Sequence, residues 1–314
     1  MPRFPWRVFW CIPNRKQDAE AWLRYNEGMT IPKTYVKKAA PFLKWAGGKQ
    51  RLLPQYEPYF PPRELTGRYF EPFVGSAAVF FHLQPAHAVL ADRNDKLIEV
   101  YEAVRDEVEA VIAALKPHRN ESAYYYEVRA QDPCKLTRAE RAARLIYLNK
   151  TCYNGLYREN SRGEFNVPFG RYKNPRICDE ERLRLASQVL QGVSLQVADF
   201  EDVVSVAEEG DLVYFDPPYV PLSETSSFTA YHRLGFGEAD QRRLADVVES
   251  LTERGCRVML SNSSAPLVYE LYDNGRFLLV PVQARRNINS KADRRGPVQE
   301  LLILNYTPGE WRVR

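Results

Sequence analysis

The distribution of apolar positions along the chain predicts an open α/β fold. Residues 212–215 read Leu-Val-Tyr-Phe, a continuous apolar run of the kind that a strand buried in a parallel sheet requires. A second run of this kind covers residues 88–91. Residues 71–76 have the composition of a strand-to-helix turn, and an apolar helical run follows at residues 77–83. This alternation predicts a Rossmann-like, doubly wound sheet.

Further periodic stretches extend this pattern. Between residues 94 and 118, apolar side chains recur at helical spacing, which predicts a helix with one buried face. Thr137 and Glu140 form a T-x-x-E capping box ahead of another apolar run, so a second helix should begin there. Residues 277–282 and 298–305 are candidate strands near the end of the chain.

A tetrapeptide with distinctive chemistry directly follows residues 212–215. Asp216, Pro217, Pro218 and Tyr219 therefore stand at the C-terminal end of a strand, where open α/β sheets bind ligands. The Asp216 carboxylate and the Pro217 carbonyl are acceptors that can together take both hydrogens of an exocyclic amine, while Tyr219 stacks on the ring. These acceptors leave the nitrogen lone pair free to attack an electrophile. We predict that the four residues are catalytic.

The context of the tetrapeptide decides between a catalytic and a structural interpretation. A bare D-P-P-Y is equally compatible with a polar turn after a strand. Here a second carboxylate, Asp92, ends the run at residues 88–91, at the position from which doubly wound folds bind ribose hydroxyls. Two carboxylates at strand ends, together with the glycine turn at residues 71–76, favour a crevice that binds a nucleotide-like cofactor.

Composition limits the class of protein. The chain has 314 residues, is 45% hydrophobic, and can form one large or two smaller domains. A net charge of +4 is too small to indicate nucleic-acid binding by itself. No apolar run reaches the roughly 18 residues of a membrane span, so we expect a soluble, cytoplasmic protein. The five cysteines show no C-x-x-C spacing, which predicts reduced thiols and no metal.

Additional motifs complete a family resemblance. Residues 41–49 read Pro-Phe-Leu-Lys-Trp-Ala-Gly-Gly-Lys, and residues 166–172 read Asn-Val-Pro-Phe-Gly-Arg-Tyr. With the turn at residues 71–76 and the D-P-P-Y at residues 216–219, the chain resembles the Dam-type DNA adenine methyltransferases over roughly residues 40–306. The order of the motifs is similar to that of the alpha group, within which the Dam and pneumococcal duplex-methylating branch is nearest. The resemblance implies methylation of adenine in double-stranded GATC by S-adenosylmethionine.

The resemblance also implies roles for individual residues. It implies that the cofactor is bound by Trp45, Lys49, Glu71, Phe73, Gly75, Asp92, Asp199, Phe200 and Asp216. It implies that DNA is contacted by Lys44, Tyr153, Asn154, Leu156, Arg158, Pro168 and Tyr172. Within the second set, Lys44 and Arg158 match residues that read guanines, and Tyr153 matches the aromatic residue that enters the base stack.

The chain between the cofactor motifs and D-P-P-Y is expected to form an inserted domain. Residues 150–176 interleave aromatic, amide and basic side chains with glycines, as a base-reading surface requires. We expect a catalytic, cofactor-binding domain at residues 40–100 and 190–314, and a mainly helical target-recognition domain at residues 101–189. Residues 1–39, which are basic and aromatic with little periodicity, are expected to be an extension without a fold of its own.

Two segments are expected to border the DNA cleft. Residues 220–237, rich in Ser, Thr and Gly, are expected to be a mobile flap. Residues 283–296 carry five Lys or Arg against Asp293 and are expected to form a hairpin tip that contacts phosphates. The family's second glycine in the F-x-G-x-G turn is replaced by Ala77, which would cost on the order of 1 kcal/mol if its φ is positive. We expect this variant to be tolerated.

Several alternatives remain open at this point. D-P-P-Y also suits enzymes that methylate the amino group of cytosine and enzymes that recognise a DNA sequence other than GATC. It suits enzymes that methylate RNA or protein amides as well. A catalytically silent DNA-binding module is a different class, although intact Asp216 and Tyr219 argue against it. No feature of the sequence demands a dimer, so we expect a monomer. A cognate restriction endonuclease is a further expected partner if the enzyme belongs to a restriction-modification system.

Overall fold

The computed structural model describes residues 38–62, 67–222, 236–285 and 297–308. The described residues from Ala39 onward form one compact unit. Most of the expected N-terminal extension, most of the expected flap and most of the expected hairpin tip therefore lie outside the described residues. Within the described ranges, the secondary structure consists of seven β-strands, ten α-helices and four short 3-10 turns.

The strands form a single mixed sheet. They are β1 (Tyr69–Glu71), β2 (Ala88–Asp92), β3 (Ser194–Val197), β4 (Leu212–Phe215), β5 (Arg257–Ser263), β6 (Leu278–Arg285) and β7 (Pro297–Leu304). The order across the sheet is β3-β2-β1-β4-β5-β7-β6. Strands β1 to β5 are parallel, and β7 is antiparallel to both of its neighbours. This arrangement confirms the predicted Rossmann-like α/β fold, and each predicted strand is present.

The helices follow the predicted alternation with the strands. They are α1 (Leu53–Tyr56), α2 (Ala78–Leu83), α3 (Asp95–Asp106), α4 (Val108–Leu115), α5 (Ser122–Ala130), α6 (Arg138–Thr151), α7 (Glu180–Leu190), α8 (Phe200–Val204), α9 (Glu238–Glu253) and α10 (Pro266–Tyr272). The capping box at the start of α6 is confirmed, because Glu140 N donates to Thr137 Oγ1 at 3.3 Å and Thr137 N donates to Glu140 Oε2 at 2.8 Å.

The prediction of one continuous helix at residues 94–118 is wrong, because the helix is interrupted. The structure has two helices there, because Glu107 leaves the helical conformation with φ of −142° and ψ of 42°. Both α3 and α4 pack against α6, and α3 also contacts β2, β3 and α7. The break changes the direction of the chain while the apolar spacing continues through it, so periodicity alone could not reveal it.

The core lies on both faces of the sheet. Strand β4 is buried at every position, as its continuous apolar run predicted. Tyr214 belongs to the cluster that includes side chains of α2 to α7, whereas Val213 and Phe215 belong to the cluster that includes α8, α9 and α10. Helices α3 to α7 pack mainly against one another. Their assignment to a separate target-recognition domain at residues 101–189 stays a prediction.

The turn before α2 contains the unusual alanine. Ala77 adopts the left-handed conformation, with φ of 53° and ψ of 38°, and its side chain is fully buried. Alanine in this conformation costs roughly 1–2 kcal/mol relative to glycine. Burial of one methyl group contributes about 0.8 kcal/mol in the opposite direction.

Ala77→Gly is therefore expected to have a small effect on stability. Relief of backbone strain is offset by the lost methyl burial and by the greater freedom of glycine in the unfolded chain. The free energy of unfolding, measured with urea, should change by less than about 1 kcal/mol. A loss of several kcal/mol would show that the methyl group of Ala77 contributes much more to packing than to strain.

Candidate active site

The predicted catalytic segment lies where the order of the sheet reverses. Strand β4 pairs with β1, and β1 pairs with β2 on its other side, so the C-terminal ends of the three strands are adjacent. Glu71 ends β1, Asp92 ends β2 and Asp216 follows β4. In doubly wound sheets this reversal point opens the crevice in which ligands bind. The sequence prediction that Asp92 and Asp216 follow strands at one edge of the sheet is confirmed, and Glu71 joins them there.

Lys49 contacts two residues of the catalytic segment, Asp216 and Tyr219. Its Nζ atom is 2.7 Å from Asp216 Oδ1 and also donates to Gly47 O at 2.6 Å. The same atom lies 4.7 Å from the centroid of the Tyr219 ring, a cation–π distance. The Lys49 side chain is only 4% exposed and that of Asp216 is 21% exposed. A buried ammonium group therefore contacts both the carboxylate and the aromatic face of the D-P-P-Y motif.

Burial and the ion pair act on Asp216 in opposite directions. Burial raises the pKa of the Asp216 carboxyl above its usual value, and the neighbouring Lys49 ammonium lowers it. Burial is the larger influence. The ion pair with Lys49 thus helps to keep Asp216 ionised in a site that disfavours charge.

Lys49→Met is expected to move the acidic limb of the pH–rate profile to higher pH. Without the ammonium group, the pKa of Asp216 rises further, so the carboxylate becomes protonated at a higher pH. The rate of the methyl transfer that the resemblance implies, measured from pH 5 to 9, would reveal the change. Lys49→Arg, which retains a positive charge, is the matched control. Superimposable profiles for Lys49→Met and the wild type would contradict the proposed influence of Lys49 on Asp216.

Buried amide and hydroxyl groups hold the backbone of the catalytic segment. Gln241 Nε2 donates to Pro218 O at 2.8 Å, and Asn262 Nδ2 donates to Gln241 Oε1 at 3.0 Å. Val220 N donates to Asn262 Oδ1 at 3.2 Å, and Ser263 Oγ donates to Val220 O at 2.6 Å. Gln241 and Asn262 are fully buried. Neither residue was among the candidates predicted from the sequence, although an amide within the buried strand β5 is a recognisable signal.

The hydroxyl of Tyr219 has its own partner. It donates to Glu300 Oε2 at 2.9 Å, and Glu300 lies on β7. Burial raises the pKa of Tyr219 well above its usual value, so the phenol retains its proton. Nearby, Ser261 Oγ is 2.8 Å from the Tyr214 hydroxyl and 3.0 Å from that of Tyr56. No pattern in the sequence indicated the contact between Tyr219 and Glu300.

The glycine turn brings the predicted cofactor residues together. Gly75 has φ of 44°, and a Cβ atom at this position would lie 2.8 Å from Trp45 Cδ1. Gly75 N donates to Asp92 Oδ2 at 3.4 Å, and Asn94 N donates to Asp92 Oδ1 at 3.0 Å. Tyr101 donates its hydroxyl hydrogen to Gly75 O at 2.9 Å. Burial raises the pKa of Asp92, and these backbone donors oppose that effect.

An aromatic cluster lies beside this turn. The rings of Phe73 and Phe200 stack with centroids 5.5 Å apart, and Phe236 packs edge-on against Phe73 at 5.7 Å. Asp199 precedes Phe200 at the start of α8, and both of its oxygens bind Arg243, at 3.0 and 3.2 Å. The predicted residues Phe73, Asp199 and Phe200 therefore lie close together. Phe236 and Arg243 are neighbours that the sequence did not identify.

Glu71 occupies an interior position. Its side chain is 2% exposed, and its Oε2 atom accepts hydrogen bonds from Tyr69 OH at 2.8 Å and Phe80 N at 3.1 Å. Burial raises the pKa of Glu71 to about 8. The carboxyl group joins the end of β1 to helix α2, and its predicted role in cofactor binding stays a prediction.

Lys44, a predicted DNA contact, is anchored to the end of α6. Its backbone N donates to Asn149 Oδ1 at 2.8 Å, and Asn149 Nδ2 donates to Lys44 O at 2.6 Å. Its Nζ atom donates to Lys150 O at 3.2 Å and lies 3.9 Å from the centroid of the Tyr172 ring. Two of the predicted DNA contacts, Lys44 and Tyr172, are therefore in contact with each other.

The loop after α6 presents further predicted DNA contacts. The side chain of Tyr153 is 50% exposed, and its backbone N donates to Pro168 O at 2.8 Å. Asn154 adopts a left-handed conformation with φ of 55°, and its side chain is exposed. Leu156 is half-buried and packs against the core. The loop therefore exposes Tyr153 and Asn154 while Leu156 anchors it.

The guanidinium group and the backbone of Arg158 are clamped by hydrogen bonds with one residue, Asn166. Its Nε atom donates to Asn166 Oδ1 at 2.6 Å and its Nη2 atom donates to Asn166 O at 3.1 Å. Asn166 N donates in return to Arg158 O at 2.9 Å, within a hairpin-like loop. These contacts engage one edge of the guanidinium group and leave its Nη1 atom outside the clamp.

Gly155→Ala is expected to destabilise the protein by more than backbone strain alone. Gly155 has φ of 62°, and a Cβ atom there would lie 2.6 Å from Lys44 Cβ. Gly275→Ala is the matched control, because Gly275 has φ of 80° with no atom within 4 Å of the added carbon. Thermal unfolding should show a loss of about 1–2 kcal/mol for the control and a clearly larger loss for Gly155→Ala. Equal losses would show that the Lys44 side chain moves aside freely.

A polar cavity connects the two predicted sets of residues. Its volume is about 350 Å³, and its lining includes Lys44, Trp45, Ser76, Lys150, Asn154 and Arg182. Burial, together with the charges of Arg182 and Lys44, lowers the pKa of Lys150 to about 8. The cavity is therefore electropositive, with a predicted cofactor residue and predicted DNA-binding residues in its wall.

Two general features concern metals and membranes. Among the residues with described structure, no group of three or more His, Cys, Asp or Glu is arranged to hold a metal ion. Cys134, Cys152, Cys178 and Cys256 are free thiols. In the same part of the chain, no helix is both long and apolar enough to cross a membrane.

Comparison with known proteins identifies the family. Residues 45–288 match the D12 class N6 adenine-specific DNA methyltransferases. A type II methyltransferase of Lactococcus lactis subsp. cremoris is 44% identical over 274 residues, which cover 85% of this chain and 95% of the relative. The DNA adenine methylase of Escherichia coli strain K12 is 39% identical over 283 residues, which cover 87% and 98%. The chain belongs to the D12 class of N6 adenine-specific DNA methyltransferases.

Proposed function

We propose that this enzyme transfers the methyl group of S-adenosylmethionine to the exocyclic amino nitrogen of an adenine flipped out of double-stranded GATC. The observation that carries the proposal is the Lys49 ammonium, which contacts Asp216 at 2.7 Å and lies 4.7 Å from the Tyr219 ring. A nitrogen with N–H donors is therefore accommodated between the carboxylate and the aromatic face. An adenine amino group presents the same kind of donor to the same two groups.

The residues around the glycine turn fit S-adenosylmethionine. The carboxylate oxygens of Asp92 accept backbone hydrogen bonds from Gly75 and Asn94 and, with about four lone-pair sites in all, retain acceptor capacity for ribose hydroxyls. Phe73 is partly exposed and offers the aromatic face that an adenine ring requires, while Phe200 stacks beneath it and is itself buried, with Arg243 4.4 Å from its centroid. Gly75 lacks the Cβ atom that would lie 2.8 Å from Trp45 Cδ1. When bound, the cofactor supplies an electrophilic methyl group on a positively charged sulfur.

The protein residues contribute positioning and electrostatic stabilisation. Asp216 Oδ and the Pro217 carbonyl accept the two amino hydrogens of the target base, which keeps the lone pair directed at the methyl group. Positive charge develops on the nitrogen during transfer, and the buried Asp216 carboxylate stabilises it. Base flipping is part of the proposal because the stacked, paired amino group in a duplex cannot reach a pocket at a strand end.

The GATC specificity rests on the family resemblance and on the clamped Arg158. Arginine reads guanine through two parallel hydrogen bonds to O6 and N7. With Nε and one Nη2 hydrogen engaged by Asn166, the Nη1 edge of Arg158 is the part that remains for a base. Tyr153 and Asn154 are exposed nearby, so the loop can place aromatic and amide groups against the same duplex.

The partners follow from the same proposal. Double-stranded DNA is the substrate, and one copy of the chain carries every proposed catalytic group, which supports a monomer. Relatives named type II methyltransferases support membership in a restriction-modification system with a cognate endonuclease. Other relatives are named only DNA adenine methylase, a name that mentions no such system, so a solitary enzyme is the alternative. The genes adjacent to the coding sequence would separate these two roles.

The decisive experiment measures transfer of labelled methyl from S-adenosylmethionine to two short duplexes that differ only in GATC versus GTAC. We expect N6-methyladenine in the GATC duplex alone, identified by nucleoside analysis. Equal incorporation into both duplexes would contradict the proposed site. Methylcytosine as the product would contradict the proposed base, and no incorporation despite cofactor binding would favour a silent DNA-binding module.

Arg158→Ala is expected to relax recognition of the guanine it reads. Loss of a bidentate contact should reduce discrimination between guanine and another base at that position by about 1–3 kcal/mol, which corresponds to roughly 5- to 150-fold. Methylation rates of GATC and of duplexes with one substituted guanine provide the measurement. Arg162→Ala, an exposed arginine of the same loop, is the matched control. Unchanged discrimination in Arg158→Ala would exclude Arg158 as a guanine reader.

A further inference from the structure

Tyr219 is held at three points by residues from three elements. Gln241 on α9 binds the carbonyl of Pro218, and Asn262 on β5 binds the backbone N–H of Val220. Glu300 on β7 accepts the hydrogen of the Tyr219 hydroxyl at 2.9 Å. The backbone on both sides of the ring and the far end of the ring are thus fixed. A tyrosine constrained in this way presents one ring orientation to the pocket.

The fixed ring already faces a positive charge. Lys49 Nζ lies 4.7 Å from its centroid and 2.7 Å from Asp216 Oδ1. Cations within about 6 Å of an aromatic face are attracted by the negative electrostatic potential of that face. The space between Tyr219 and Asp216 is therefore suited to a positively charged or partly charged nitrogen.

Glu300 strengthens this property of the ring. A hydrogen bond from a phenol to a carboxylate is charge-assisted, and it draws the hydroxyl proton away from the oxygen. Electron density on the oxygen and in the ring increases as a result. Because burial raises the pKa of Tyr219 well above its usual value, the proton stays on the phenol and the bond is a donation to Glu300.

We propose that Glu300 is a positioning residue for methyl transfer, which fixes the Tyr219 ring and increases the attraction of its face for the positive charge on the target nitrogen. In the step concerned, the nitrogen lone pair forms the N–C bond while the S–C bond breaks and its electron pair remains on sulfur. The nitrogen carries the positive charge until it releases a proton to water. The inference rests on the proposed function of Asp216 and Tyr219.

The test is a double-mutant cycle with single-turnover rates of methyl transfer to duplex DNA. Glu300→Ala should slow the step about tenfold or more, the factor expected for loss of one hydrogen bond to a charged group. Glu300→Gln, which can still accept the bond but carries no charge, should fall between Glu300→Ala and the wild type. In the Tyr219→Phe background, Glu300→Ala should change the rate by less than about twofold, because the shared contact is already absent.

Binding measurements separate this role from a structural one. Dissociation constants for DNA and S-adenosylmethionine, and the melting temperature, should remain close to those of the wild type in Glu300→Gln. Gln299→Ala, an exposed neighbour on β7 whose side chain points to the other face of the strand, is the matched control. Equal rate losses from Glu300→Ala in both backgrounds, or a loss confined to binding, would overturn the proposal. Absence of any DNA methylation by the wild type would instead contradict the proposed function.

Discussion

Asp216→Ala is expected to reduce methyl transfer by at least roughly a hundredfold to a thousandfold, the effect of removing a group that stabilises charge developing in a transition state. Asp216 is the only proposed catalytic side chain with a formal negative charge, and it contacts the Lys49 ammonium at 2.7 Å in a buried site. Its loss leaves the positive charge that develops on the target nitrogen without a carboxylate beside it. Single-turnover rates with saturating DNA and cofactor provide the measurement.

Binding should survive this substitution. The proposed cofactor contacts at Asp92 and Phe73 and the proposed DNA contacts on the loop after α6 do not depend on Asp216. Dissociation constants for S-adenosylmethionine and duplex DNA should therefore change far less than the rate. Asp273→Ala, which removes an exposed carboxylate after α10, serves as the control for the effect of preparing and handling a variant protein. A rate within tenfold of the wild type would remove Asp216 from the proposed mechanism.

Glu71→Gln is expected to flatten the dependence of stability on pH. The pKa of Glu71 is about 8 in the folded protein, raised by burial from an ordinary value of 4.5. Between these two pH values the folded state binds a proton that the unfolded state has released. The stabilisation is complete below pH 4.5 and is lost as the pH rises toward 8, at about 1.4 kcal/mol per pH unit.

Urea unfolding at pH 5, 6, 7 and 8 would measure this contribution. Glutamine can accept the hydrogen bonds from Tyr69 and Phe80 but does not titrate, so the difference in unfolding free energy between the two proteins should change steadily with pH. Glu127→Gln, at an exposed position on α5, should show no such change. A difference that stays constant across the series would show that Glu71 is ionised throughout.

The positions of the catalytic and cofactor candidates on the fold were predictable because their signals are local. The apolar run of β4 and the two prolines after it place Asp216 at a strand end without any knowledge of the rest of the chain. Asp92 follows β2 in the same way. The capping box at Thr137 fixed the start of α6, since hydrogen bonds between residues three positions apart depend on sequence alone.

The contacts around the site required the tertiary structure. Tyr219 and Glu300 are 81 positions apart, and Val220 and Asn262 are 42 apart, so no periodicity links them. Helix α3 ends at Asp106 rather than continuing to residue 118, although the apolar spacing continues, and α3 and α4 then pack separately against α6.

The sequence by itself determined the class of fold, several of its strands and helices, and the carboxylates at two strand ends, Asp92 and Asp216. These features depend on residues close together in the chain, whose side-chain pattern reports directly on the backbone they form. Only the tertiary structure decided that Lys49 lies between Asp216 and Tyr219 and that β5, β7 and α9 hold the catalytic segment. Such contacts form only when the strands assemble into the sheet and distant elements pack together. Their energies depend on burial, which the local sequence does not encode.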